Sequence, residues 1–149
     1  MQYVCELSHV SSGLPTRSKY DNVCVMEKSV LIVEDEEPIR ELYSDALEGV
    51  GLHVHKASNG GEGIELALKH HPDVILMDII MPGMSGHKAV QEIRKDNWGK
   101  EAHIIFLTNM SDAEDVVKAV AQGSEEYIIK ANTPIHDVIN KVRTAMNLA

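Results

Sequence analysis

Val74-Ile75-Leu76-Met77-Asp78, followed by Met81-Pro82-Gly83, carries the strongest fold signal in the chain. An apolar run with no polar alternation suits a strand covered on both faces, as in a parallel sheet. The run ends on a carboxylate and then breaks at Pro82 and Gly83, both turn formers. Asp78 is thereby predicted at the carboxyl end of a central strand, where open α/β sheets place their ligands. Such a carboxylate is a candidate nucleophile or metal ligand.

Outward from this strand the same unit recurs. Val30-Leu31-Ile32-Val33 reads as a strand ending at Glu34-Asp35. A helix follows, with Pro38 in its first turn, where its missing N–H costs nothing. Ile39, Leu42, Tyr43, Ala46, Leu47 and Val50 recur at the helical period and are expected on one buried face; Gly51 ends it. His53-Val54-His55-Lys56-Ala57 is short and more polar, which predicts an edge strand. Gly63 to His71 carries Ile64, Leu66, Ala67 and Leu68, a second helix. Gly86 to Lys95 predicts a third, with Ala89, Val90 and Ile93 inward.

His103-Ile104-Ile105-Phe106-Leu107 is a fourth strand, ending at Thr108. Ser111-Asp112-Ala113-Glu114 has the form of a capping box, opening a helix with Val116, Val117 and Val120 and closed by Gly123. Tyr127-Ile128-Ile129 is a fifth strand before Lys130. Thr133-Pro134 begins the last helix, with Ile135, Val138, Ile139, Val142 and Met146 on one face. Five strand–helix units predict an α/β fold, a doubly wound five-stranded parallel sheet with five helices. Residues 1–28 lack this pattern. Ser8, Ser11, Ser12, Gly13, Pro15 and Ser18 interrupt any periodicity, so an N-terminal extension is expected before one domain at residues 29–149.

The 149 residues are 44% hydrophobic and 25% charged, ordinary for a globular chain, and the formal net charge is −9. An acidic chain is a poor match for the phosphate backbone, so no direct nucleic-acid partner is expected. Cys5 and Cys24 have no metal-ligand spacing, and so few cysteines fit a reducing compartment. No apolar run reaches the ~20 residues that span a bilayer, and no signal-peptide pattern opens the chain. A cytoplasmic protein without a membrane partner is the expectation.

Parallel strands aim their carboxyl ends the same way, so Glu34, Asp35, Asp78, Thr108 and Lys130 are predicted to converge on one crevice. Three clustered carboxylates repel one another, and a hard divalent cation such as Mg2+ relieves that repulsion. Lys130 adds a compact positive charge suited to a phosphoryl oxygen, and Thr108 a hydroxyl donor. The set is suited to phosphoryl transfer.

At these residues the chain resembles the receiver domain of bacterial two-component response regulators, over residues 29 to about 147. The resemblance is carried by Leu31-Ile32-Val33-Glu34-Asp35, by Met77-Asp78-Ile79-Ile80-Met81-Pro82-Gly83-Met84-Ser85-Gly86, by Leu107-Thr108, and by Tyr127-Ile128-Ile129-Lys130. It implies a flavodoxin-like (βα)5 fold. It implies that Asp78 accepts a phosphoryl group from a sensor histidine kinase or a phosphotransfer protein. Asp35, Asp78 and the Ile80 backbone carbonyl would hold Mg2+, with Glu34 acting through water. Lys130 would pair with the phosphoryl group, Thr108 would swing towards it, and Tyr127 would turn inward. The changed surface would then meet a downstream effector, in the manner of stand-alone chemotaxis or sporulation-relay receivers. Such a protein catalyses only its own phosphorylation and slow dephosphorylation.

Several positions depart from that pattern. Glu34 replaces the commoner Asp. Asn109 stands where a small residue is preferred, narrowing access for the donor. Ile80 and Met110, two positions after Asp78 and Thr108, cannot orient an attacking water. Ala131 stands where the family has a cis proline, and a cis bond before a non-proline residue costs about 2.5–4 kcal/mol; the presentation of Lys130 turns on it. Two other readings compete: a degenerate, phosphate-independent scaffold, and a Mg2+-dependent aspartyl phosphatase. Ile80 argues against the phosphatase, which would carry a second acid there. His53 and His55 share one strand face but lack a third ligand in the sequence pattern. His70, His71 and His103 read as surface positions, His87 as flanking the site, and Trp98 as packing.

Overall fold

The computed structural model describes residues 27–109 and 126–148. The extension to residue 26, with Cys5 and Cys24, and the helix predicted from Ser111 to Gly123 lie outside the described residues. Strands β1 (Ser29–Val33), β2 (His53–Ala57), β3 (Val74–Asp78), β4 (Ile104–Thr108) and β5 (Glu126–Ile129) alternate with helices α1 (Glu37–Glu48), α2 (Gly60–His70), α3 (Gly86–Arg94) and α4 (Ile135–Ala145). A single 3-10 turn, Gly99–Glu101, precedes β4. The sheet order is β2-β1-β3-β4-β5 and every pairing is parallel. β3 is central and buried along its whole length, and β2 is an edge.

The core has two layers, one on each sheet face. Leu31, Val33, Ile75, Met77, Ile104 and Phe106 pack under α2 and α3 through Ala67, Ala89, Val90 and Ile93. Val30, Ile32, Leu76, Leu107 and Ile128 pack under α1 and α4 through Tyr43, Leu47, Val138 and Val142. Alternate residues of each strand therefore serve opposite layers, which is why the strand sequences show no polar alternation. At the amino end, Lys28 reaches Asp73 at 3.4 Å while the His53 N–H donates to the Lys28 carbonyl at 2.9 Å.

Two expectations need correction. The buried face of α1 is Tyr43, Ser44 and Leu47, with Ile39 partly covered; Leu42 is 56% exposed and Val50 42%. At 100° per residue, Leu42 points away from the line through Ile39, Tyr43 and Leu47, and Val50 lies past the helix end. Helix α2 starts at Gly60, three residues early. The Asn59 side chain accepts the Glu62 N–H at 2.9 Å, while the Glu62 carboxylate accepts the Ser58 N–H at 3.0 Å. That reciprocal cap outweighs the helix-breaking tendency of Gly60 and Gly61.

β2 also carries an unusual side-chain group. The His53 and His55 rings meet edge to face at 4.7 Å, and His70 from α2 stacks on His55 at 4.1 Å. Burial, then the neighbouring His70 and His53, push the His55 imidazole below the ordinary histidine range. His71 instead stacks on Trp98 at 4.4 Å, and the tryptophan packs against the α2–α3 layer.

Gly86, the first residue of α3, has a structural role that its position dictates. A Cβ there would run into the Asp78 carbonyl oxygen, and the Gly86 N–H donates to the Ile79 carbonyl at 2.8 Å. The missing side chain lets α3 press onto the end of β3. Gly86→Ala is expected to cost about 2–3 kcal/mol, measured as a lowered urea midpoint at unchanged m-value.

Candidate functional site

The carboxyl ends of β1, β3, β4 and β5 bring the predicted residues together. Glu34 and Asp35 follow β1, Asp78 ends β3, Thr108 ends β4 and Lys130 follows β5. One oxygen each of Glu34, Asp35 and Asp78 lies within 4.8 Å of the other two. Glu34, Asp78 and Thr108 are buried, and only Asp35 is partly open to solvent. Lys130 Nζ sits 2.9 Å from Glu34 Oε2 and 3.3 Å from Asp78 Oδ1, so one buried ammonium bridges two buried carboxyl groups.

Backbone contacts hold these side chains in register. The Lys130 N–H donates to the Thr108 carbonyl at 2.8 Å, and the Ile79 N–H to the Leu107 carbonyl at 3.1 Å. Arg40 of α1 donates to the Glu34 carbonyl at 2.8 Å, and the Glu36 N–H donates to the Glu34 carboxylate at 3.2 Å. The Thr108 hydroxyl donates to the Asn109 carbonyl at 3.1 Å. All peptide bonds among the described residues are trans, the Lys130–Ala131 bond included. With that bond trans, Lys130 contacts both carboxyl groups.

The electrostatics follow from burial and crowding. Burial is the main cause that pushes the Asp78 carboxyl up to about 8, with the Glu34 charge adding and Lys130 opposing. Hydrogen bonding with Asp35 and Glu34 raises it further. Burial alone would lower Lys130, but the Glu34 hydrogen bond and the Asp78 charge outweigh it and hold the ammonium above its usual range. The carboxylates thus carry more negative charge than Lys130 balances. Oxygen donors in that number and that excess charge fit a hard divalent cation.

Two of the predicted residues have exposed side chains. Tyr127 lies on the edge strand β5 and is 36% exposed, and the Ile80 side chain is 56% exposed beyond β3. One residue was missed. Tyr43, read only as core, is buried on α1 and its phenol is raised, first by burial, with the Lys130, Glu34 and Asp78 charges all acting on it. Its i, i+4 spacing to Leu47 looks like any core position, so no sequence signal separates it. The His87 ring lies against Phe106 at 4.8 Å.

A family model for the response regulator receiver domain matches residues 30–143. The chain belongs to the receiver domain family. This receiver is 38% identical over 122 residues to the chemotaxis protein CheY of Halobacterium salinarum, covering 80% of this chain and 100% of that one. The solved structure of CheY4 from Vibrio cholerae superposes with a TM-score of 0.72 at 28% identity, over 80% of this receiver and 98% of that chain. The receiver domain of a Pseudomonas aeruginosa sensor histidine kinase, solved with magnesium in its active site cleft, shares the fold. Its TM-score is 0.73 at 24% identity, over 81% and 98% of the two chains. Two longer relatives also match, and the receiver spans 41% and 45% of their lengths. Receivers are domains of two-component signalling. No helix among the described residues is long and apolar enough to cross a membrane.

Proposed function

We propose that this receiver is a phosphorylation-controlled switch in which Asp78 is the phosphoacceptor. The observation that carries the reading is the buried Asp78 carboxylate, held 3.3 Å from Lys130 and grouped with Glu34 and Asp35 at the strand ends. An Asp78 oxygen attacks the phosphorus of a phosphohistidine on a sensor kinase or phosphotransfer protein. The P–N bond breaks, its electron pair stays on the imidazole, and an acyl phosphate forms on Asp78. Asp35, Asp78 and the Ile80 carbonyl would hold Mg2+, with Glu34 acting through water, and a bound Mg2+ neutralises charge on the phosphoryl oxygens. The magnesium in the cleft of the fold relative supports that assignment.

Lys130 exchanges its bond to Asp78 for one to the phosphoryl group, and Thr108 turns its hydroxyl from the Asn109 carbonyl to the same oxygens. Tyr127, now exposed, turns inward as that space opens. A charge added at one site thereby biases a two-state surface that a downstream effector reads. The receiver domain is residues 29–149 and the preceding segment an extension, in a cytoplasmic protein that catalyses only its own phosphorylation and dephosphorylation.

The test is phosphate incorporation from a small acyl-phosphate donor with Mg2+, in wild type and Asp78→Asn. Incorporation confined to wild type upholds the reading; none in wild type with Mg2+ bound leaves the phosphate-independent scaffold. Ile80 and Met110 supply no group to orient a water, so the acyl phosphate is expected to last minutes or longer. Radiolabel decay within seconds would contradict this, and steady turnover of a phosphate ester would favour the phosphatase reading.

A further inference from the structure

We propose that His53, His55 and His70 form a second metal site, for a divalent transition ion of the zinc, nickel and copper class. His53 and His55 are two residues apart on β2 and so project from the same face. α2 runs back along the sheet from the carboxyl end of β2 and delivers His70, in its last turn, onto His55. The third ligand absent from the sequence pattern is thus supplied by a different element. The inference is independent of the phosphoacceptor reading.

The described histidines differ in what they touch. His103 and His136 face the carboxylates of Glu126 at 3.6 Å and Asp137 at 3.2 Å. His71 stacks on Trp98, and His87 lies against Phe106. His53, His55 and His70 instead pack on one another, and no hydrogen bond or ion pair ties their rings to another described residue. His53 and His70 are exposed and His55 is half-buried, so a solute can reach the group. Imidazole selects borderline transition ions, whereas Mg2+ prefers the oxygens of the acidic cleft. The two sites therefore take different classes of ion.

Placement supports that separation. His53 opposes Ser29 at the amino end of β1, while Ala57 opposes Val33 beside the acidic group. Four residues of strand put His53 about 13 Å from that end of the sheet. As the rings stand, His55 and His70 are stacked with planes 15° apart, so their nitrogens do not yet point at one ion. Uptake requires the two exposed rings to turn about χ2, a soft torsion for an imidazole.

The experiment titrates Cu2+ into the full chain carrying Cys5→Ser and Cys24→Ser, and follows the electron paramagnetic resonance spectrum. Saturable binding of one ion with nitrogen hyperfine structure is expected. His55→Gln and His70→Gln should each weaken it by about tenfold or more, since even losing an outer-shell partner costs 10–100-fold. His103→Gln should leave it unchanged, and circular dichroism should show each variant folded. A nitrogen-coordinated signal that survives the triple His53→Gln/His55→Gln/His70→Gln change overturns the proposal, as does the lack of such a signal in the parent. Equal loss in His103→Gln overturns it too.

Discussion

Lys130→Met is expected to lower the stability of the metal-free protein by about 2–3 kcal/mol at pH 7. Lys130 is the buried cation between Glu34 and Asp78, at 2.9 and 3.3 Å. Breaking a buried pair from one side costs about 3–5 kcal/mol, because the remaining charge is left without a partner. The expected figure is lower because Asp78, pushed up to about 8, already holds its proton at pH 7. Glu34 then becomes the stranded charge. Adding Glu34→Gln to Lys130→Met should therefore recover most of the loss, and the loss should shrink on acidification as carboxylates take up protons. Urea unfolding at pH 5 and pH 7, over the full double-mutant cycle, measures all of this. Equal midpoints for Lys130→Met and wild type would mean that the ion pair adds no stability.

Asp78→Asn is expected to act the other way. The Asp78 carboxyl titrates at about 8 in the fold against a reference value of 3.8. Between these values the folded state holds a proton that the unfolded chain releases. Stability of the metal-free wild type should therefore fall as pH rises through this window and level off above it. The amide cannot ionise, so the variant loses that slope. After discounting for solvent at the cleft mouth and for coupling to Glu34, the gain should be roughly 2 kcal/mol near pH 8. A divalent ion should invert the order. At 100 times its dissociation constant, Mg2+ adds about 2.7 kcal/mol to a protein that binds it folded, and Asp78→Asn lacks a ligand. Thermal unfolding at pH 5, 7 and 9, with Mg2+ and with a chelator, tests both halves. A variant no more stable than wild type without metal would show that Asp78 is not strained in the fold.

Elements differ in how much of their form depends on the rest of the chain. Continuous apolar strands and a carboxylate, hydroxyl or lysine at each strand end were legible because direction and periodicity are local. Helix α2 was read three residues short because Gly60 and Gly61 argue against a helix locally. The decisive contacts are the Asn59 and Glu62 caps, together with packing in which Gly60 lies against Met84 and Gly63 against Val33. The exposed Leu42 failed for a related reason: six apolar positions fit a stripe, but only the neighbours decide its centre. Lys130 and Glu34 are 96 positions apart, and their pairing depends on β5 and β1 ending at the same level of the sheet.

Short-range pattern accounts for the succession of strands and helices, the edge position of β2, and the set of groups gathered at the carboxyl ends. These follow from hydrophobic period and chain direction, which are properties of short segments. Which charges touch is set by packing. It placed Lys130 between Glu34 and Asp78, brought Tyr43 within range of their charges, left Tyr127 exposed, and brought His70 to the His53–His55 pair. Each of these depends on distances between segments far apart in the chain, which packing of the two core layers sets and no local pattern encodes.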